Sequence, residues 1–208
     1  MSNESAITAV ARRKHCPSCG VVIGLDLPPE HALATLADSD IRIGVSTPRR
    51  FNPVSWLIRK IMGAEVSHTF FVYYDVDLHM DCVLEAHELG FRIIPLKRFQ
   101  KRNKIFGMYR VNVPLTDGLV WMGEWIGSAY DYTGLLGMAW VMIGRLLKRK
   151  FKNPLNSGKA MFCSEMVLSV LTCCNVPWVR GFDAATTTPQ DIYLLLDHNA
   201  VCVFREAT

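Results

Sequence analysis

Hydrophobic and polar residues alternate along the middle of the chain. In segment 40–47, Ile41, Ile43 and Val45 occupy every second position, which predicts a strand. Further strand-like runs lie at 67–76, 81–87, 91–96 and 104–113, separated by short polar or glycine-containing turns. Consecutive strands joined by short turns are typical of an antiparallel meander.

Apolar residues at helical spacing flank this meander. Asn52-Pro53 reads as an N-cap followed by proline at the first helical position, and Gly63 ends that predicted helix. Further helices are predicted after Thr116, over roughly 134–150, from Cys163, and after Thr188-Pro189, with AVCVFRE as a closing strand. This order predicts an α+β fold with a mostly antiparallel sheet packed against helices.

The first 37 residues differ from the rest, with a polar start and a Pro28-Pro29 break. We therefore expect an appendage at 1–37 and one larger domain at 38–208, a size that buries a sizeable core. Cys16 and Cys19 in the appendage resemble half of a zinc ribbon, with His15 and His31 nearby. A structural zinc site needs four ligands and no second cysteine pair follows, so two thiols in a tail are the alternative interpretation.

Charge adds two local features to this picture. The net charge of +4 is mild, but basic residues cluster at 96–104, where we expect a solvated hairpin loop, and after an apolar helix within 134–152. The second cluster is typical either of an amphipathic membrane contact or of cations that stabilise a helix C-terminus. Neither cluster is interleaved with aromatic residues and no glycine-rich phosphate loop is present, so we expect no nucleic-acid binding.

The sequence shows no pattern of a secretory signal peptide or a transmembrane helix, and this bears on the compartment that we expect for the protein. The N-terminus places its basic residues after the short apolar stretch, the reverse of a signal peptide. The longest apolar run, Gly134 to Gly144, is shorter than the ~20 residues that span a bilayer. The cysteines number seven, an odd count for a chain of ordinary domain size, which favours reduced thiols in a cytosol-like compartment.

Cys163, in FCSEMVLSVL, has two interpretations. Apolar residues three, four, seven and eight positions later place it on a buried helical stripe, as a core residue. The preceding NPLNSGKAM has the composition of a loop, which places Cys163 in the first helical turn, where unpaired N–H groups and the helix dipole favour a thiolate. A nucleophile also needs a base, and His68 in EVSHTFFVYY is available on a predicted strand, on the side of Phe70 and Val72.

In this order, DIRIGVS, VSHTFFVY, VLEA, YDYTGLLG and FCSEMV resemble the circularly permuted branch of the NlpC-type papain-like cysteine hydrolases. This is the branch of the YiiX-like proteins, distantly related to lecithin retinol acyltransferase, in which the histidine strand precedes the cysteine helix. The resemblance covers roughly residues 40–197 and extends to bacteriophage proteins. Relatives usually carry small and aliphatic residues after the histidine, whereas this chain has Thr69-Phe70-Phe71, so the shape of the substrate cleft stays open.

The resemblance implies Cys163 as nucleophile, His68 as its base and no metal or organic cofactor. Glu85 is the expected orienting residue, with His87 as the alternative on the same strand face. Tyr130 would contribute a hydroxyl to an oxyanion or substrate site, or else build a loop, and the backbone N–H groups of Cys163 and Ser164 would complete the oxyanion hole.

The implied activity is hydrolysis of an amide of peptide or peptidoglycan type, in the cytoplasm or in a phage virion. The alternatives are a lipid ester hydrolase or acyltransferase, a membrane-surface module acting through 134–152, and a virion or assembly protein, partnered by phage structural proteins, that keeps the fold without the chemistry.

Overall fold

The computed structural model describes residues 14–15, 22–24, 40–87, 90–123, 125–126, 144, 149 and 161–206. The strands are β1 (Lys14–His15), β2 (Val22–Gly24), β3 (Arg42–Pro48), β4 (His68–Asp75), β5 (Met80–His87), β6 (Gly90–Pro95), β7 (Asn103–Arg110) and β8 (Val201–Phe204). The α-helices are α1 (Pro53–Met62), α2 (Leu96–Gln100), α3 (Thr116–Gly123), α4 (Cys163–Cys173) and α5 (Pro189–Asn199). Two short 3₁₀ turns, Pro177–Val179 and Ala184–Thr186, connect α4 to α5.

Six strands form one antiparallel sheet in the order β6-β5-β4-β3-β7-β8, and β1 pairs with β2 in a separate two-stranded sheet. The α+β prediction with a mostly antiparallel sheet is therefore confirmed. The boundary predicted between residues 37 and 38 lies outside the described residues.

The sheet buries side chains on both faces. Alternate residues of β4 separate into two clusters: Phe71 and Tyr73 lie with the residues of α3, α4 and α5, whereas Phe70 and Val72 lie with the residues of α2. This two-residue period follows from the pleat, which points successive side chains to opposite faces. The larger cluster fixes α4 against the sheet, and the smaller one lies beneath His68.

Caps define the helix ends as the sequence predicts. The Asn52 side chain accepts a hydrogen bond from the Ser55 N–H, and Gly63 ends α1 with a left-handed φ of 58°. Thr188 and Asp191 form a capping box at the start of α5.

The prediction of a hairpin loop at 96–104 is wrong for its first half, because residues 96–100 form α2. Leu96 and Phe99 are three positions apart and therefore share one helical face, which is buried in the smaller cluster. The free energy gained by burying these two side chains favours a helix here, and the charged residues between them face outward. Within the described ranges, no helix is long and apolar enough to cross a membrane.

Candidate active site

Cys163 is the first residue of α4 and lies at its positive end. The preceding residue, Phe162, occupies the N-cap with extended backbone and makes no side-chain capping bond. A phenyl ring has no acceptor for the first-turn N–H groups, so these point toward the space in front of the helix. The Cys163 side chain is only 5% exposed, which shields its sulfur from bulk water.

The next residue, Ser164, is engaged within the protein. Its buried hydroxyl donates a hydrogen bond of 2.7 Å to the carbonyl oxygen of Thr187. This bond ties the first turn of α4 to the segment that precedes α5. The oxyanion role predicted for Ser164 therefore depends on its backbone N–H and not on its hydroxyl.

His68, at the start of β4, is held by a buried carboxylate on β5. Its Nε2 lies 2.7 Å from Oε2 of Glu85, whose side chain is 2% exposed. Arg92, directly opposite Glu85 in the β5–β6 register, donates to Oε1 from Nε at 2.9 Å and from a terminal nitrogen at 2.7 Å. Both oxygens of one buried carboxylate are thus occupied, and the ring orientation of His68 is fixed.

The electrostatics of Glu85 follow from these contacts. Burial by itself disfavours its charged form, but hydrogen bonds and attraction from His68 and Arg92 outweigh burial and lower its pKa from 4.5 to about 2. The residue is therefore a carboxylate at neutral pH, and it favours the protonated, positively charged form of His68.

Cys163 and His68 line the same cavity, and each shifts the pKa of the other. Burial disfavours the charged form of both groups. Attraction to the imidazolium and a hydrogen bond from it nevertheless lower the pKa of the Cys163 thiol. Attraction and hydrogen bonding to Cys163 and Glu85 raise the pKa of His68. Because Glu85 occupies Nε2, the nitrogen available to the sulfur is Nδ1. Each of the two groups therefore favours the charged form of the other.

Thr69 stabilises the thiolate from the other side. The pairing of β4 with β5 runs from Phe71↔Leu84 to Asp75↔Met80, so Thr69, which pairs with Val45 of β3, has no partner in β5. There its backbone N–H donates to the Cys163 sulfur and lowers the pKa of the thiol. Its buried hydroxyl has no hydrogen-bond partner of ordinary geometry among the described residues, but lies near enough to lower that pKa further.

Aromatic rings support the imidazole. The ring centroids of Phe70 and Phe99 each lie 6.2 Å from that of His68, and the two phenyl rings are 4.3 Å apart. Both phenyl side chains are fully buried. The short helix α2 therefore contributes directly to the wall behind the candidate base.

Cys163, His68 and Glu85 line a cavity of about 570 Å³. This volume lies within the range of small-ligand sites. The α1 side of the cavity includes Ser55 and Ser67, whose hydroxyls are 2.6 Å apart. A buried nucleophile candidate with a fixed imidazole therefore has space in front of it for a substrate group.

The structure brings together Cys163, His68 and Glu85, the three residues chosen as nucleophile, base and orienting group. His87, the alternative orienting residue, lines the same cavity, but Glu85 is the residue at Nε2 of His68. Tyr130 and the zinc candidates Cys16 and Cys19 lie outside the described residues, as does the 134–152 segment apart from Gly144 and Arg149.

Sequence reasoning missed two residues that act on the site, Arg92 and Thr69. Arg92 had a detectable signal, because it and Glu85 occupy opposing positions of a predicted hairpin, where opposite charges pair favourably. Thr69 had no such signal in the sequence, since its contact with Cys163 depends on where β4 and β5 separate.

Among the described residues, no group of three or more His, Cys, Asp or Glu side chains is arranged to hold a metal ion. A scan against protein-family models and a search of curated proteins find no match for this sequence. The chemistry of the site is therefore inferred from the geometry of its own residues.

Proposed function

We propose that this protein is a cysteine hydrolase of permuted papain-like type that cleaves an amide bond in a substrate of peptide or peptidoglycan kind. One observation carries the proposal: a cysteine at the first position of a helix lines one cavity with an imidazole whose Nε2 is held by a buried carboxylate. A nucleophile, a base and an orienting group in this relation define nucleophilic catalysis of acyl transfer.

In the first half-reaction, the Cys163 thiolate attacks the carbonyl carbon of the amide. A C–S bond forms and the carbonyl oxygen becomes an oxyanion, which accepts hydrogen bonds from the backbone N–H groups of Cys163 and Ser164. When the C–N bond breaks, the imidazolium of His68 gives its proton to the departing nitrogen, which leaves as an amine. Cys163 is then a thioester.

In the second half-reaction, neutral His68 takes a proton from a water molecule as that water attacks the thioester carbonyl. The C–S bond breaks, and the acyl group leaves as a carboxylic acid. The thiolate and imidazolium are restored, so no oxidant, reductant or metal enters the balance. Glu85 keeps His68 in the orientation that both proton transfers require.

The test is the alkylation rate of Cys163 by iodoacetamide as a function of pH, followed by mass spectrometry of the labelled peptide. In the wild type, Cys163 should react well below the pKa of ~8.5 of a free thiol, because the imidazolium stabilises its thiolate. In His68→Ala the rate at about pH 6 should fall on the order of 10- to 100-fold, with a much smaller change near pH 9, where even an ordinary cysteine thiol is largely ionised.

Two further variants separate ionisation from folding. His68→Gln retains an N–H donor for Glu85 and cannot become a cation, so it should lose reactivity at low pH while melting near the wild-type temperature. His198→Ala removes an exposed histidine of α5 and should leave the profile unchanged. Coincident profiles for wild type and His68→Ala would mean that Cys163 is only a core residue.

A further inference from the structure

The cavity in front of Cys163 carries three cations that the proposed reaction does not use. Arg50, Lys101 and Arg102 line it and have exposed side chains. They come from two loops held together at the end of the β3–β7 ladder, where Pro48 pairs with Asn103 and the Arg49 N–H donates to the Arg102 carbonyl oxygen at 2.8 Å. Their backbones are therefore fixed on one side of the cavity.

These three residues have no carboxylate partner within 4.0 Å among the described residues. Most of the other described arginines do form such pairs: Arg42 with Asp81, Arg49 with Glu206, Arg92 with Glu85, Arg110 with Asp40 and Arg205 with Asp197. Among the described residues that line the cavity, the one carboxylate, Glu85, is already held by His68 and Arg92. The Cys163–His68 pair is neutral as a whole, so none of the described residues that line the cavity compensates the positive charge of the three cations.

The rest of the lining indicates which anion fits. Among the described residues of the lining, Pro48, Phe51, Ile58 and Ala86 are apolar, and the others are charged, polar or Cys163 itself. A long acyl chain requires a mostly apolar channel, whereas a short polar group with a negative charge suits hydrogen-bond donors and cations. The surroundings of Cys163 therefore favour a peptide-like amide over a lipid ester.

We propose that Arg50, Lys101 and Arg102 form an anion subsite that selects an acidic peptide, with a carboxylate close to the amide that Cys163 attacks. This inference rests on the proposed function, since it assumes that the substrate reaches Cys163. Three exposed cations, each contributing the modest energy of a surface ion pair, together give about a tenfold preference for the anionic substrate.

The first experiment compares iodoacetate with iodoacetamide at Cys163, a matched pair of reagents that differ in one carboxylate. The triple variant Arg50→Gln, Lys101→Gln, Arg102→Gln should lower the iodoacetate rate about tenfold and leave the iodoacetamide rate unchanged. A control triple variant, Lys60→Gln, Lys97→Gln, Arg180→Gln, removes the same charge from exposed positions outside the cavity lining and should leave both rates as in wild type.

The second experiment uses acetyl-glutamyl and acetyl-glutaminyl chloromethyl ketones, which place the same contrast on a peptide. The glutamyl reagent should label Cys163 faster than the glutaminyl reagent in wild type and in the control triple variant. This preference should vanish in the cavity variant, which is the triple variant Arg50→Gln, Lys101→Gln, Arg102→Gln. Equal labelling by both reagents, together with rapid reaction with iodoacetamide, would overturn the anion subsite and leave the proposed hydrolase intact. Slow reaction with iodoacetamide at low pH would instead count against the proposed function.

A third experiment tests whether the anion that these cations bind is a lipid headgroup instead of a peptide carboxylate. Phe51 beside Arg50 is 79% exposed, and exposed aromatic side chains next to cations also suit a membrane surface. Sedimentation with phosphatidylglycerol and phosphatidylcholine vesicles measures this. One outcome would assign the cations to a membrane and refute the acidic-peptide subsite. In that outcome, wild type binds the anionic vesicles, the triple variant at residues 50, 101 and 102 does not, and neither protein prefers the glutamyl reagent. No vesicle binding, with the glutamyl preference present, is the result that we expect.

Discussion

At the scale of single residues, Cys163 combines two properties that the sequence presented as alternatives. Its side chain belongs to the larger hydrophobic cluster, and it also lines the cavity in contact with His68. Burial alone would raise the pKa of the thiol, but here it removes the water that would otherwise screen the imidazolium. A cysteine at this place is therefore both a packing residue and an ionisable one.

Thr69→Val tests the contribution of a single hydroxyl to that ionisation. The variant keeps the shape and the backbone N–H but removes a group that lowers the pKa of Cys163, so alkylation at about pH 6 should slow by roughly threefold. Because the Thr69 hydroxyl has no partner of ordinary geometry among the described residues, its loss should leave the melting temperature unchanged or higher.

Ser46→Ala is the matched control for Thr69→Val. Ser46 also has a buried hydroxyl without a hydrogen-bond partner in the described part of the chain, but no role in the ionisation of Cys163. It should raise or preserve stability and leave the alkylation rate unchanged. A Thr69→Val rate equal to wild type would show that the backbone N–H alone supplies the effect of this residue.

At the scale of elements, the site depends on how α4 meets β4. Met166, Val167, Val170 and Leu171 are fully buried, which confirms the predicted helical stripe and holds α4 on the sheet. The start of the helix is thereby directed at the end of β4 that β5 leaves unpaired. Two packing surfaces, one on each face of the sheet, thus position the cysteine and the histidine independently.

Gly44→Ala tests the second of these surfaces. Gly44 lies opposite Phe70 in the β3–β4 register, and a Cβ there would come within 2.1 Å of the Phe70 ring. The ring must move, which should cost about 1–3 kcal/mol of stability and displace the wall behind His68. We expect a lower melting temperature and slower alkylation of Cys163 at about pH 6.

The control for this substitution is Gly123→Ala at the end of α3, where a Cβ would meet no atom of the described residues within 4 Å. Alanine is the better helix former, so stability should stay equal or rise. Reactivity of Cys163 should be the same as in wild type. If Gly44→Ala lowers stability without changing the alkylation rate, then Phe70 does not position His68.

At the scale of the whole molecule, Glu85 couples three neighbouring strands through His68 and Arg92, and this coupling makes stability depend on pH. Because the folded-state pKa of Glu85 is lowered to about 2 from 4.5, its contribution is complete above about pH 4.5 and is lost as pH falls toward 2. The contribution is on the order of 3 kcal/mol.

Urea unfolding of Glu85→Gln measures that contribution. The variant should be less stable than wild type at neutral pH, and the difference should shrink as pH falls from about 4.5 toward 2, because the wild-type carboxylate then becomes protonated. Glu65→Gln, at an exposed position, is the control and should follow the wild-type curve. A constant difference at every pH would mean that Glu85 acts through packing and not through its charge.

The sequence by itself determined the features that depend on local spacing. The two-residue period specified most of the strands of the sheet, the cap residues Asn52, Gly63 and Thr188 specified helix ends, and the apolar stripe of α4 specified its buried face. These are properties of neighbouring residues and of backbone geometry, so they can be read without knowing what lies across the fold. They also placed Cys163 at the beginning of a helix.

Only the tertiary structure decided the features that join distant segments. The separation of β4 from β5 lets the Thr69 N–H reach the Cys163 sulfur, and α2 forms because Leu96 and Phe99 find a buried face in the sheet. The three cavity cations are brought together by the end of the β3–β7 ladder. Local patterns cannot predict these contacts, because their energies come from burial and charge contributed by residues far apart in the chain.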